Sequence, residues 1–361
     1  MAEEQKTPRP LGFGIVGCGH IAPFQAAAIK ALPGSRVVAL HSRRQASAAK
    51  LAATLEPPPL VFSDLGAFLR VPELDVVCVC TPCGNHLEVA EAAAAAGKHL
   101  VVEKPLEITL ERCDRLIAAC ERAGVYLTTV FPSRFADANV ALKQALSAGR
   151  FGRLTLGETA CKWWRSQAYY DEGGWKGTLA LDGGGAVMNQ AIHSVDLLLW
   201  LMGPVREVAG FSACLAHERI EVEDTAVACL RFESGALGVI QAATSVHPGL
   251  PKTVAIHGSA GSVVVEQEDV LVWEFATPNA EDDQVRRRFA RAVKASGGAS
   301  NPAAISSEYH RRQLEQFVAA LRQSEPPPID GAEGRQAVGL VLAIYQSAAE
   351  GRVIRLGTGT A

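Results

Sequence analysis

Phe13-Gly-Ile-Val-Gly17-Cys-Gly19-His20-Ile21-Ala22 decides the fold. A short apolar run ends in two glycines, and a helix-forming stretch begins immediately after them. The first glycine permits a tight turn. The second lets a pyrophosphate approach the backbone, and the small Ala22 lets the helix pack close to the strand. The free N–H groups and dipole of the helix N-terminus then suit a phosphate. A purely structural turn could carry the same glycines, but the strand–turn–helix setting favours dinucleotide binding by Gly17, Gly19, His20 and Ile21.

Outward from that turn, apolar runs at 13–16, 37–40, 75–80, 99–102 and 125–131 alternate with alanine-rich helical stretches at 47–55, 87–96 and 110–123. Gly34, Gly97 and Gly124 stand where helices end and strands begin. This is the α/β pattern of a doubly wound parallel sheet, and we read six strands in it. The second strand runs into His41-Ser42-Arg43-Arg44, with Ser42 lying 25 residues past Gly17. An acidic residue is expected at that strand end to bind the ribose of NAD; a hydroxyl followed by two guanidiniums suits a 2′-phosphate. NADP is therefore the expected cofactor, with NAD the alternative. Both arginines could also simply open a solvated helix.

Past residue 131 the rhythm changes. A helix at 136–148, a strand at 154–162 and a long apolar helix at 186–202 precede segments at 208–216, 225–232, 237–243, 253–257 and 262–266. These alternate or run apolar between turns, as in an open, mostly antiparallel sheet covered on one face by a helix. The stretch 280–301 reads as a solvated loop, and helices at 308–322 and 331–349 close the chain. The expected division is a Rossmann domain over 10–130 and an α+β domain for substrate binding and oligomerisation over 131–361.

Composition narrows the function. The 361 residues are 48% hydrophobic, enough for a sizeable core, and 35 basic against 38 acidic side chains leave a net charge of −3. No basic excess serves nucleic acid. No apolar run approaches the ~18 residues of a membrane span, and the polar start lacks a secretory signal, so a cytoplasmic location is expected. Nine cysteines fit reduced thiols. Cys78 and Cys80, two apart in a strand, read as packing residues, and no metal is expected.

Two constellations carry chemistry. Glu103-Lys104-Pro105 follows the fifth strand at its carboxyl end, where open α/β sheets bind ligands. Further on, Leu181-Asp-Gly-Gly-Gly185 leads into a helix carrying Asn189, His193 and Asp196 at i, i+4 and i+7, away from the apolar stripe of Met188, Ile192, Val195 and Leu199. Three polar groups on one helix face behind a glycine-rich approach point to a site.

These residues resemble the Gfo/Idh/MocA family of sugar oxidoreductases. The likeness spans the glycine turn, Thr81-Pro82-Cys-Gly-Asn85-His86, Glu103-Lys-Pro105, Arg134-Phe135, the glycine-rich loop with its helix, His310-Arg311 and Asp330-Gly331…Glu333-Gly334. It implies that Thr81, Pro82, Asn85, His86, Glu103 and Lys104 join the glycine turn, Ser42, Arg43 and Arg44 in holding the dinucleotide. It further implies that His193 exchanges the proton of the reacting hydroxyl while Lys104 stabilises the alkoxide. Many members of the family carry Asp where this chain has Asn189, so Asn189 is expected to orient the substrate or His193. Asp196 is left as an orienting group or a partner of some other element. An open sheet in this family usually forms contacts between copies, so a homodimer or homotetramer is expected.

Lys162-Trp163-Trp164-Arg165-Ser-Gln-Ala-Tyr169-Tyr170 is dense in aromatics for a chain with 6% of them. Rings suit sugar faces and Arg165 suits a phosphate or carboxylate; a core plug or a subunit contact would use the same residues. Together with the glycine-rich loop, the segment is similar to the branch of UDP-N-acetyl-aminosugar uronate 3-dehydrogenases. The leading expectation is oxidation of a sugar, nucleotide-sugar or polyol hydroxyl. The alternatives are a keto- or anhydro-sugar reductase and a regulatory protein that binds dinucleotide and sugar without turnover.

Overall fold

The computed structural model describes residues 9–172, 174–290 and 307–357. Six strands, β1 (Leu11–Val16), β2 (Ser35–His41), β3 (Leu60–Phe62), β4 (Val76–Val79), β5 (His99–Val102) and β6 (Leu127–Thr129), form a parallel sheet in the order β3-β2-β1-β4-β5-β6. Between them run α1 (Ala22–Lys30), α2 (Gln45–Ala52), α3 (Leu65–Leu69), α4 (His86–Ala95) and α5 (Leu110–Ala123). β4, Val-Val-Cys-Val, is wholly buried, as a strand covered on both faces must be. In α5 the Thr109 side chain accepts from Arg112 N–H at one end, and Gly124 takes the left-handed conformation that closes the other.

After α6 (Asp137–Ser147) the chain builds a second sheet from β7 (Leu154–Lys162), β8 (Val205–Ala213), β9 (Thr225–Phe232), β10 (Leu237–Ala243), β11 (Thr253–Gly258), β12 (Gly261–Glu266), β13 (Asp269–Phe275) and β14 (Ile354–Arg355). Its order is β13-β12-β11-β7-β10-β9-β8-β14, antiparallel throughout except for the β7–β10 pair. β9 shows why one face stays open: Ala226, Ala228, Leu230 and Phe232 point into the core, while Val227, Cys229 and Arg231 point out. The remaining helices are α7 (Gln167–Asp171), α8 (Ile192–Met202), α9 (Asp282–Arg288), α10 (Glu308–Gln323) and α11 (Gly331–Glu350).

Strands β3, β13 and β14 fall outside the expected apolar runs and β8 begins before its expected segment; three further departures concern helices. The long helix begins as a π-helix over Ala186–Ala191 and becomes α-helical only from Ile192. The segment read as a solvated loop contains α9, anchored by the buried Asp282, which accepts from Arg150 and from Trp273 Nε1; its continuation past residue 290 lies outside the described residues. Finally, α10 lies beyond the expected division at residue 130, yet its Leu314, Phe317 and Val318 pack with Phe13, Ile15, Ala26 and Ile29 of the first sheet's layer. Apolar periodicity reveals that α10 has a buried face, but not which sheet that face covers.

Candidate active site

Parallel strands bring their carboxyl ends to one edge, and the strand order reverses between β1 and β4, where dinucleotides bind in such sheets. Gly17 follows β1 with φ +96°, and a Cβ there would stand 2.5 Å from the Cys80 carbonyl oxygen. Only glycine can make this approach. Gly19 has open space around it, and α1 starts without a side-chain cap, leaving its first N–H groups for a ligand. His20 is exposed and Ile21 half-buried beside this turn. At the end of β2, Ser42 Oγ accepts from Arg44 N–H, and the exposed guanidiniums of Arg43 and Arg44 form no ion pair among the described residues. These residues fit a dinucleotide phosphate.

The loops after β4 and β5 are tied together. His86 is fully buried, its Nδ1 3.0 Å from Pro105 O and its Nε2 3.1 Å from Thr81 O. Expected to touch a cofactor, His86 instead fastens two backbone segments, because its ring is enclosed between their carbonyls. Thr81, Pro82 and Asn85 remain half-buried at the surface of that loop. Glu103 is also turned inward, accepting from Gln25 Nε2 at 2.7 Å and from Lys104 N–H at 3.3 Å. Lys104 reaches across to the second sheet's layer: its Nζ donates to Asn189 O at 2.6 Å and approaches Asn189 Oδ1 at 3.4 Å.

The π-helical segment exists because Glu223 organises it. The Glu223 carboxylate accepts from the N–H groups of Gly185 (2.9 Å) and Val187 (2.8 Å), and from Tyr345 OH (2.9 Å). A Cβ on Gly185 would collide with Glu223 O at 1.7 Å. The wider winding carries Asn189 toward Lys104, a common use of π-helical turns at functional sites. His193 follows on the first turn of α8, its ring edge-on to Phe131 at 6.0 Å and its Nδ1 buried without a hydrogen-bond partner among the described residues. Burial pushes the His193 imidazole well below its ordinary range, with Lys104, Lys252 and His310 adding to the effect, so the ring is neutral near pH 7.

Asp196 does not face the site. Its two oxygens accept from Arg134 Nε at 3.0 Å and Nη2 at 2.6 Å, and Arg134 also reaches Glu333. Arg134-Phe135 thus anchors α8 instead of leaving Asp196 for substrate. Arg165 is likewise buried, donating to Gln190 Oε1 and Trp164 O at 2.9 Å beneath the rings of Trp163 and Tyr169. Tyr169 OH accepts from Gln190 Nε2, and Lys176 sits 3.8 Å over the Tyr169 ring. Trp164 packs edge-on to His247. Of the aromatic loop, Trp164 and Tyr169 keep partial exposure, whereas Trp163 and Tyr170 are core.

Sequence reading missed Asp182, Gln190, Glu223, Tyr345 and Lys252. Asp182 is buried and accepts from Gly177 N–H (2.8 Å) and from Asn189 Nδ2. Lys252 donates to Ser133 Oγ at 2.8 Å. Asp182 lies in the glycine-rich stretch and Gln190 beside Asn189, so these two carried a local signal. The others lie on loops or on the inner faces of elements without a pattern of their own.

Comparison with known proteins agrees with this geometry. Residues 11–131 match the oxidoreductase family with an NAD-binding Rossmann fold, and residues 139–264 match the GFO/IDH/MocA C-terminal domain. The crystal structure of the WlbA dehydrogenase from Bordetella pertussis, in complex with NADH and UDP-GlcNAcA, is 35% identical with a TM-score of 0.87 over 97% of this chain and 99% of that one. The myo-inositol 2-dehydrogenase of Thermotoga maritima is 27% identical over 95% of this chain and 98% of its own length. The 1,5-anhydro-D-fructose reductase of Ensifer adhaerens is 27% identical over 96% and 99%.

Proposed function

The chain belongs to the Gfo/Idh/MocA oxidoreductase family, and from that membership we propose that it oxidises a secondary hydroxyl of a cyclic sugar, with Lys104 and His193 as its catalytic residues. The observation that carries the reading is the contact of Lys104, from the first sheet's edge, with the helical segment that carries His193. Lys104 comes from the carboxyl end of β5 and is hydrogen-bonded to Asn189, one turn before the neutral His193. His193 accepts the hydroxyl proton. Lys104 donates a hydrogen bond to the same oxygen and stabilises its developing negative charge, while the carbon-bound hydrogen leaves with its electron pair and the carbon becomes a carbonyl. A dinucleotide held by its pyrophosphate at the glycine turn would supply the hydride acceptor in its nicotinamide ring. The same groups serve reduction in the opposite direction, with His193 returning the proton.

Among substrates we favour a nucleotide-linked uronate, on the strength of the likeness to WlbA and of the partly exposed Trp164 and Tyr169 beside the site. Among cofactors we favour NADP, supported by Ser42, Arg43 and Arg44 at the ribose end; the related complexes contain NADH. The open face of the second sheet, with Phe211 75% exposed opposite Val227 at 46%, suits a second copy of the chain. No helix among the described residues is long and apolar enough to cross a membrane. The test is nicotinamide reduction by wild-type and Lys104→Met protein with UDP-GlcNAcA, free sugars and inositols. Turnover that survives in Lys104→Met overturns the reading.

A further inference from the structure

Asn189 raises a question of charge. An amide cannot offer Lys104 the negative partner that an aspartate at this position would. The structure shows what stands behind it. Asn189 Nδ2 donates to Asp182 Oδ1, while Asn189 Oδ1 accepts from Gln190 Nε2 at 3.0 Å and faces Lys104 Nζ at 3.4 Å. The amide dipole therefore lies in line, positive end on the carboxylate and negative end toward the ammonium.

Asp182 is 2% exposed, and among the described residues no Lys or Arg lies within ion-pair distance of it. A buried carboxylate without a cation in contact is costly and needs other compensation. Gly177 N–H and the Asn189 amide provide it directly. Lys104 and Lys176 provide it through space; the hydroxyls of Tyr169 and Tyr170 and the Cys83 thiol are the other titratable groups that face it. The glycine-rich loop, with Gly183 at φ +74°, holds Asp182 in place.

We propose that Asp182 is a positioning residue for the reaction, supplying through the Asn189 side chain the negative charge that orients and balances Lys104. Lys104, Asn189 and Asp182 then work as a relayed triad. The inference rests on Lys104 acting at the reacting oxygen. It also assigns a pH dependence: burial lifts the Asp182 carboxyl to about 6, so protonation on acidification removes the charge behind Asn189, loosens Lys104 and lowers kcat.

Two measurements test it. In turnover of UDP-GlcNAcA, Asp182→Asn lowers kcat roughly 10²-fold by loosening Lys104, with dinucleotide affinity and melting temperature little changed. Its acid limb near pH 6 disappears, and Asp182→Asn/Asn189→Asp, which moves the carboxylate next to Lys104, restores most of the rate. A wild-type rate and pH profile in Asp182→Asn, or a double variant no faster than the single, overturns the proposal. Lys104→Met in the same assay separates the two failures, since its retention of turnover defeats the underlying reading instead. Independently of turnover, carboxyl ¹³C NMR of the protein without cofactor should show Asp182 titrating at higher pH in Lys104→Met. An unchanged midpoint means the two groups are not coupled.

Discussion

Replacing Lys104 with Met removes an ammonium and keeps most of the side chain's bulk. The expected result is a loss of kcat/KM of about 10²–10⁴-fold with dinucleotide binding retained, read by nicotinamide fluorescence. At the other end of the cofactor, Arg43→Ala should shift the NADP-over-NAD preference toward NAD by about tenfold, the size of one exposed charge-assisted contact; an unchanged ratio of kcat/KM values removes the arginine from cofactor choice. The placement of Lys104 at a strand end and of His193 on an otherwise apolar helix was legible from local pattern; their catalytic roles are the proposal that the variants test. Asp182 was quoted but assigned no role, since a lone acid among glycines reads as a turn. His86, Asp196 and Arg165 were legible as polar outliers, but not in direction. Nothing local states that His86 is clasped by Thr81 and Pro105, or that Arg134, 62 residues earlier in the chain, waits for Asp196.

Individual elements hold the site through two buried anchors. The first is Arg134–Asp196, which fixes α8 and with it His193; burial pushes the Asp196 carboxyl up to about 6 and Arg134 opposes the rise. Arg134→Met leaves that carboxylate without its cation and should cost about 3–5 kcal/mol in urea unfolding, whereas Arg134→Met/Asp196→Leu should recover much of the loss. Equal losses in the two proteins mean that the pair's charge complementarity is not what matters. The second is Asp224, which gathers the N–H groups of Leu215, Ala216 and His217, the His217 ring and the Thr225 hydroxyl. Burial alone would raise its pKa, but these donors prevail and hold it at about 2. A carboxyl held low stabilises the fold above its unfolded pKa near 3.8, and that contribution fades as pH falls toward 2. Asp224→Asn should therefore be less stable than wild type by about 2 kcal/mol at pH 7, with the gap narrowing below pH 4; a gap independent of pH contradicts the assignment. β7, β9 and β10 were legible to the residue from alternation. The π-helical start was not, because it depends on Glu223, brought in from a loop 38 residues from Gly185.

Across the whole molecule, the loop after β5 meets the π-helical segment where Lys104 touches Asn189, and α10 and α11 bind the halves together. The alternation of β9 marks an open face, and the proposal that a second copy covers it goes beyond what one sequence pattern encodes. Sedimentation velocity should find an assembly larger than one chain, and Phe211→Asp, at the most exposed large apolar side chain of the open face, should reduce it to a monomer; a wild-type monomer contradicts the proposed contact. The central claim is that Lys104 and His193 together move hydride and proton between a sugar carbinol and nicotinamide. Its most direct measurement is reduction of NAD and NADP by purified wild-type, Lys104→Met and His193→Ala proteins with UDP-GlcNAcA, free sugars and inositols. The account predicts turnover by the wild type and a fall of about 10²–10⁴-fold in each variant, both still binding dinucleotide. A variant as fast as wild type, or a wild type that binds dinucleotide and transfers no hydride in either direction, contradicts it.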